Sequence, residues 1–185
     1  MYILSSMPNL RCLSIFGGRN RKLGTAEMDF SLRHVGSMAL LEKLDLSNCD
    51  MRDDDMKHLS KLKFLTHLIL TGCLELNGSF ASYFIEVPIT HLNMQKTGLC
   101  CGELKCLWHL QNLQYLDISW CKYGDEEDLD RKSVLEICKM VSSLRFLDTT
   151  GSVGLTKKDL HDISCCNSKV CVVCDIESES EIQME

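Results

Sequence analysis

The chain lacks any apolar run approaching the roughly 18 to 20 residues that a helix needs to cross a membrane. Its opening residues, Met1 to Pro8, supply neither the basic stretch nor the apolar stretch of a secretory leader. Positive charge is not in surplus: 26 acidic against 20 basic residues give a net charge of −6. Nucleic acid and anionic lipid therefore find no general attraction, and neither is expected as a partner. The acidic excess is uneven, since residues 1–95 carry 10 acids and 10 bases while residues 96–185 carry 16 acids and 10 bases. Motifs of nucleotide and hydrolytic chemistry are missing as well: there is no G-x-G-x-x-G, no P-loop, no H-E-x-x-H and no G-x-S-x-G. Apolar residues at 45% and charged residues at 25% exclude whole-chain disorder and collagen. These absences point away from an enzyme and away from a cofactor. With 12 cysteines and no leader sequence, reduced thiols are expected, and with them an intracellular chain, cytoplasmic or nuclear.

What the sequence does contain is an internal repeat. Aligned on one apolar position, it reads LRCLSIFGG from Leu10, LEKLDLSNC from Leu41, LTHLILTGC from Leu65 and ITHLNMQKT from Ile89. LQYLDISWC follows from Leu113, LRFLDTTGS from Leu144 and a degenerate VCVVCDIES from Val170, giving successive offsets of 31, 24, 24, 24, 31 and 26 residues. LxxLxLxx followed by Asn or Cys resembles the leucine-rich repeat, over nearly the whole chain. A strand and a helix in each copy cannot bury their apolar faces alone, so the copies must stack. The expected fold is an α/β leucine-rich-repeat solenoid of about six to seven repeats. Its parallel sheet is concave and its helices lie on the convex side, over residues 1–174, with an acidic tail or linker at 175–185.

The second half of each copy carries a helical pattern. Met56, Leu59 and Leu62 share one face, with Asp53 and its acidic neighbours placed to cap it. Leu104, Leu107 and Leu110 repeat the pattern, as do Leu160, Ile163 and Cys166 after a Thr156 cap. Between Asp125 and Val141 a longer helix turns Val134, Cys138 and Val141 inward. The acidic run Asp125 to Asp128 reads as a helix start rather than a calcium site.

Cys49, Cys73 and Cys121, with Thr97 in the same column, occupy the last consensus position and read as an inward structural ladder. His161, Cys165, Cys166, Cys171 and Cys174 have spacing that zinc could use. Against that, Cys166 falls on the apolar helix face, and Cys171 and Cys174 point to opposite sides of a strand. No metal is expected. The glycine- and base-containing stretch from Gly17 to Gly24 reads as a connecting loop rather than a phosphate cradle.

The repeat also fixes which side chains leave the concave face. The first outward column is Cys12, Lys43, His67, His91, Tyr115 and Phe146, and the middle one is Ser14, Asp45, Ile69, Asn93, Asp117 and Asp148. A third runs Phe16, Ser47, Thr71, Gln95, Ser119 and Thr150, with Trp120 just beyond it. Aromatics beside acids have the composition of a binding hot spot for a peptide with apolar and basic residues. The candidate partner site is therefore Lys43, Asp45, His67, His91, Tyr115, Asp117, Trp120, Phe146 and Asp148. A blander reading stays open. Trp120 would pack on the segment after it, Tyr115 and Phe146 would support each other across strands, and the aspartates would touch nothing.

Cysteine-containing leucine-rich repeats resemble the substrate-binding arms of cullin–RING ubiquitin ligases, either F-box/leucine-rich-repeat proteins or the zyg-type cullin-2 receptors. The uneven offsets and the LDIS- and LDTT-like strands favour the zyg type. That resemblance implies a protein-interaction module that recognises a ligase substrate, with a stand-alone scaffold as the alternative. No F-box is found. Ser133 to Cys138 sets leucine and cysteine at the wrong separation for an elongin-binding box, and no armadillo-like helices follow. No adaptor-binding residue is therefore carried over. Met1 falls inside a repeat, so the chain is expected to be a fragment or isoform of a longer array, or to have its first repeat covered by another segment.

Overall fold

The computed structural model describes residues 7–17, 32–121 and 129–176. Six short strands follow the repeat frame: β1 (Cys12–Ser14), β2 (Lys43–Asp45), β3 (His67–Ile69), β4 (His91–Asn93), β5 (Tyr115–Asp117) and β6 (Phe146–Asp148). A strand β7 (Gly154–Leu155) precedes the last repeat strand, β8 (Cys171–Val173), and β9 (Asp175–Ile176) closes the described chain. One parallel sheet of seven strands runs in the order β1-β2-β3-β4-β5-β6-β8. Each strand contributes one inward side chain, and Leu44, Leu68, Leu92, Leu116 and Leu147 are all buried. At the two ends of the sheet Leu13 and Val172 are only partly covered.

Register confirms every offset but the last. Phe146 lies opposite Cys171 and Leu147 opposite Val172, so the seventh copy is offset by 25 residues from the sixth, not 26. The slip matters because a shift of one residue reverses the faces of a strand. Val172 takes the inward place, and Val173 is exposed. Val170, Val172 and Val173 are all β-branched, so the sequence offers no alternation to fix the register. Pairing also continues into the acidic stretch, where β9 forms a second two-stranded parallel sheet with β7.

Helical segments return the chain behind the sheet. Asp53–Lys61, Ser79–Phe84 and Lys105–His109 are 3-10 helices, and Cys101–Leu104 is a single α-turn ahead of the last of these. Among the described residues, α-helices of ten residues form at Arg131–Met140 and Lys157–Cys166. Both longer α-helices begin on a local side-chain cap. Asp130 accepts the Ser133 N–H at 2.7 Å. Thr156 Oγ1 accepts the Asp159 N–H at 3.2 Å while the Asp159 carboxylate accepts the Thr156 N–H at 2.8 Å. In the 3-10 segments the N-cap residue's own side chain makes no such bond, and short runs of that tighter helix suffice to cross the repeat. Met56, Leu59, Leu62, Leu104, Leu107, Leu110, Val134, Cys138 and Val141 all point inward as the periodicity requires. Cys166 does not. It is exposed, because Ile163 and the half-covered Leu160 complete the inward face of the last helix.

Asp53 corrects the reading more deeply. It does not cap its own helix, where Asp55 instead accepts the Arg52 N–H at 2.8 Å. The Asp53 side chain is turned into the next repeat and buried. Its Oδ2 accepts Asn77 N–H at 3.0 Å, and its Oδ1 accepts Gly78 N–H at 3.1 Å and Phe80 N–H at 2.9 Å. One carboxylate thus supplies the partners that the start of the Ser79–Phe84 helix lacks within itself.

Candidate functional site

A thiol ladder rigidifies the edge of the sheet beside the concave face. Cys49 Sγ donates to Ile15 O at 3.4 Å, Cys73 Sγ to Leu46 O at 3.1 Å and Cys121 Sγ to Met94 O at 3.1 Å. Ser152 continues the column by donating to Ile118 O at 2.7 Å. Thr97 instead donates to Met94 O of its own repeat, at 2.8 Å. Burial pushes the Cys49 thiol up to about 11 and the Cys73 thiol up to about 12, and it raises that of Cys121 as well. Such thiols stay protonated and unreactive. Native-state labelling with a thiol reagent, read peptide by peptide, is expected to modify the exposed Cys12, Cys165, Cys166 and Cys171 first. Cys49, Cys73, Cys121 and the buried Cys138, itself pushed up to about 12, should label only after denaturation. Rapid labelling of the Cys49–Cys73–Cys121 column in the folded chain would show that it is not a buried ladder.

On the concave face the register aligns Lys43, His67, His91, Tyr115 and Phe146 directly opposite one another on consecutive strands. Their rings form one continuous stack. His67 and His91 lie 4.1 Å apart at 7°, His91 and Tyr115 5.8 Å apart at 17°, and Tyr115 and Phe146 4.7 Å apart at 1°. A side chain covered on both faces by its neighbours offers a partner its edge, not its π-face. The mutual support of Tyr115 and Phe146 is therefore real, and it prepares a rigid surface without hiding it, since both rings are half-exposed.

The middle column is held by Asx turns, in which an aspartate accepts the N–H two residues on. Asp45 Oδ1 accepts from Ser47 N at 3.0 Å and Ser47 Oγ at 2.6 Å. Asp117 Oδ1 does the same with Ser119 N and Oγ, and its Oδ2 accepts from Asn93 Nδ2 at 3.0 Å. Asp148 Oδ1 accepts from Thr150 N at 2.9 Å. Asp117 is thereby buried and fully engaged within the fold, whereas Asp45 and Asp148 remain partly accessible. The Tyr115 hydroxyl is raised above the usual phenol range by burial and by the fields of Asp117 and Asp148.

Trp120 stands apart from the ring stack, on the turn after β5. The turn column runs Asn48, Gly72, Lys96, Trp120 and Gly151, every member at positive φ, with Trp120 at 59°. A tryptophan in that region is strained by roughly 1–2 kcal/mol relative to glycine. Its indole lies over Gly151, where an added Cβ would meet Trp120 Cδ2 and Cε3 at 2.6 Å. With Gly151 beneath it and 52% of its surface exposed, the indole is a fixed platform open to a partner. No sequence rule marks that strain.

The remaining candidates are dispersed. Cys165 Sγ approaches His161 Nε2 at 3.6 Å on the exposed side of the last helix. Among the described residues, no group of three or more His, Cys, Asp or Glu is placed to hold a metal. No helix among them is long and apolar enough to cross a membrane. Asp125 to Asp128, and Gly18 to Gly24 of the basic loop, lie outside the described residues.

A family model described as Leucine Rich repeat matches residues 37–60 and 109–126. No curated protein matches the sequence. Among solved structures, internalin C2 from Listeria monocytogenes is 18% identical with a TM-score of 0.51, over 97% of this chain and 79% of that one. The leucine-rich-repeat domain of APL1B is 16% identical with a TM-score of 0.52, over 84% of this chain and 42% of that one. The chain thus spans less than half of the APL1B domain's length. At such identities the likeness concerns the fold, a leucine-rich-repeat solenoid with its parallel sheet and stacked helical segments.

Proposed function

We propose that this solenoid is a non-catalytic protein-recognition module that holds its partner on the concave face. The observation that carries this reading is the pairing of a rigid ring column with a strained, exposed tryptophan beside it. A residue held in an unfavourable backbone region by its surroundings is a reasonable pointer to function, and tryptophan and tyrosine are the side chains most enriched in binding hot spots.

The finer reading is the substrate-receptor section of a cullin–RING ubiquitin ligase in the cytoplasm or nucleus. Its support is the cysteine column, which resembles that of the cysteine-containing repeats, and the strand signatures that lean to the zyg type. In that role the chain would present a target while other subunits transfer ubiquitin, through adaptor-binding segments outside the sequence in hand. A stand-alone scaffold with no ubiquitin role is the competing reading. Affinity purification of the tagged chain from its own cells separates the two. Recovery of a cullin with its adaptor is the expected result. A stable protein partner without either would favour the scaffold.

A further inference from the structure

We propose that the concave face selects an extended protein segment bearing arginine or lysine, and that His67, stacked on His91, releases it on acidification. This rests on the concave face being the partner site.

The argument begins with two threonines. Thr66 Oγ1 donates to Glu42 O at 3.2 Å and lies 2.9 Å from His67 Nδ1. Thr90 Oγ1 donates to Thr66 O at 3.2 Å and lies 2.9 Å from His91 Nδ1. A hydroxyl has one hydrogen. Both contacts are satisfied only when each imidazole carries its proton on Nδ1 and donates it to the threonine. In the neutral ring, Nε2 is then a hydrogen-bond acceptor at the outer edge. Two parallel acceptors result, since the rings are stacked at 4.1 Å.

The surrounding charge has the same preference. Across the three outward columns from β2 to β6, the accessible ionised groups are Lys43 against Asp45 and Asp148, with the buried Asp117 adding its negative field from beneath. The acids are held in place by their Asx turns. Lys43 sits at one end of the ring column, while Asp148 and the Tyr115 hydroxyl lie toward the other. A cationic side chain is therefore favoured near β5 and β6, with its donors meeting Asp148 and Tyr115. The imidazole acceptors suit donors further along the same segment.

Acid reverses these preferences. The charged and titratable groups facing the histidine pair are Lys43 and Asp45 from β2, and Tyr115 and Asp117 from β5; the Glu42 carboxylate is paired with Arg11. Protonation turns the His67 Nε2 from acceptor to donor and places a positive charge on the face beside Lys43. Burial, then His91 and Lys43, lower the His67 imidazole below its ordinary range, so the neutral ring is favoured and release falls on the acid side of that range.

The test uses the full chain and fluorescent peptides of uncharged β-branched background, carrying either arginine or glutamate, read by anisotropy. The arginine peptide is expected to bind at about pH 7.5 and progressively more weakly as the pH falls below the ordinary imidazole range, by at least about tenfold at about pH 5. His67→Phe with His91→Phe keeps the ring column and should abolish that pH dependence. Asp148→Asn should erase the preference for arginine over glutamate. Preference for the glutamate peptide, failure of the arginine peptide to bind, or pH dependence that persists in the double phenylalanine variant would each overturn the proposal. If arginine binds but Tyr115→Ala and Trp120→Ala leave natural-partner capture intact, the concave-face reading itself fails. If those variants abolish capture while glutamate is preferred, the face stands and the charge rule falls.

Discussion

Asp53→Ala is expected to destabilise the array by about 3–4 kcal/mol, the largest loss from any single polar side chain in the described fold. The carboxylate takes the N–H groups of Asn77, Gly78 and Phe80 at 2.9–3.1 Å, across a repeat boundary. Hydrogen bonds to a charged acceptor contribute roughly 1.5–3 kcal/mol, and a buried donor left unpaired costs a further 1–3 kcal/mol, partly recovered when water enters. Alanine removes the partner of all three donors, two of them on the buried Gly78 and Phe80 and the third on the half-buried Asn77. Asp53→Asn separates charge from shape. Its carbonyl oxygen, placed as Oδ1, keeps the bonds from Gly78 and Phe80, but its amide turns a donor toward the Asn77 N–H. About half of the loss should remain. Because repeats contact only their neighbours, the damage should concentrate between the second and third copies and uncouple the two ends of the solenoid. Urea unfolding followed by far-ultraviolet dichroism, together with hydrogen exchange at residues 77–84, would read both effects. A loss under 1 kcal/mol would mean that the three bonds exchange freely for water.

Much of the architecture was legible because leucine spacing is redundant. Each strand repeats the same inward position, so the frame from Leu41 to Leu144 survives any single ambiguous residue. It failed at Val170, where three valines within four residues remove the alternation that sets register. The helical faces were legible for the same reason, but Asp53 was not. Three successive aspartates at a helix start satisfy the capping rule equally well, and only the packing of the next repeat shows which one is turned away. The aspartate column carries a readable signal in its spacing. Asp45-Leu-Ser47, Asp117-Ile-Ser119 and Asp148-Thr-Thr150 each place a small donor two residues on, the pattern of an Asx turn. The ring column was placed correctly by residue, but its stacking, and the edge-on surface that follows, depend on rotamers that sequence spacing does not specify. The strain at Trp120 was invisible for a related reason. Its counterparts in the turn column include two glycines and an asparagine, which tolerate positive φ. Lys96 and Trp120 both depart from that column without any local motif to mark them, and only Trp120 brings an exposed aromatic ring.

That departure supports the strongest prediction for binding. Tyr115→Ala with Trp120→Ala is expected to weaken partner binding by at least about a hundredfold, since two aromatic hot spots contribute roughly 2 kcal/mol or more each. The fold should remain cooperative. Trp120 is exposed and packs chiefly on Gly151, while Tyr115 contributes stacking worth roughly 0.5–1.5 kcal/mol with each ring neighbour. Trp120→Gly provides the control that alanine cannot. Glycine relieves the roughly 1–2 kcal/mol that positive φ costs any residue with a Cβ, so it should be at least as stable as Trp120→Ala. If both variants bind equally poorly, the indole surface itself is what the partner meets. If glycine restores binding, the tryptophan acts through the turn rather than by contact. Partner capture by the variants, measured beside their urea midpoints, distinguishes these results. Unchanged capture by the double alanine variant, or its global unfolding, would remove the Tyr115–Trp120 patch as the site. A strained tryptophan that binds nothing would cost stability with no compensating gain, and the undemanding glycines at Gly72 and Gly151 show how readily the same turn is built without it.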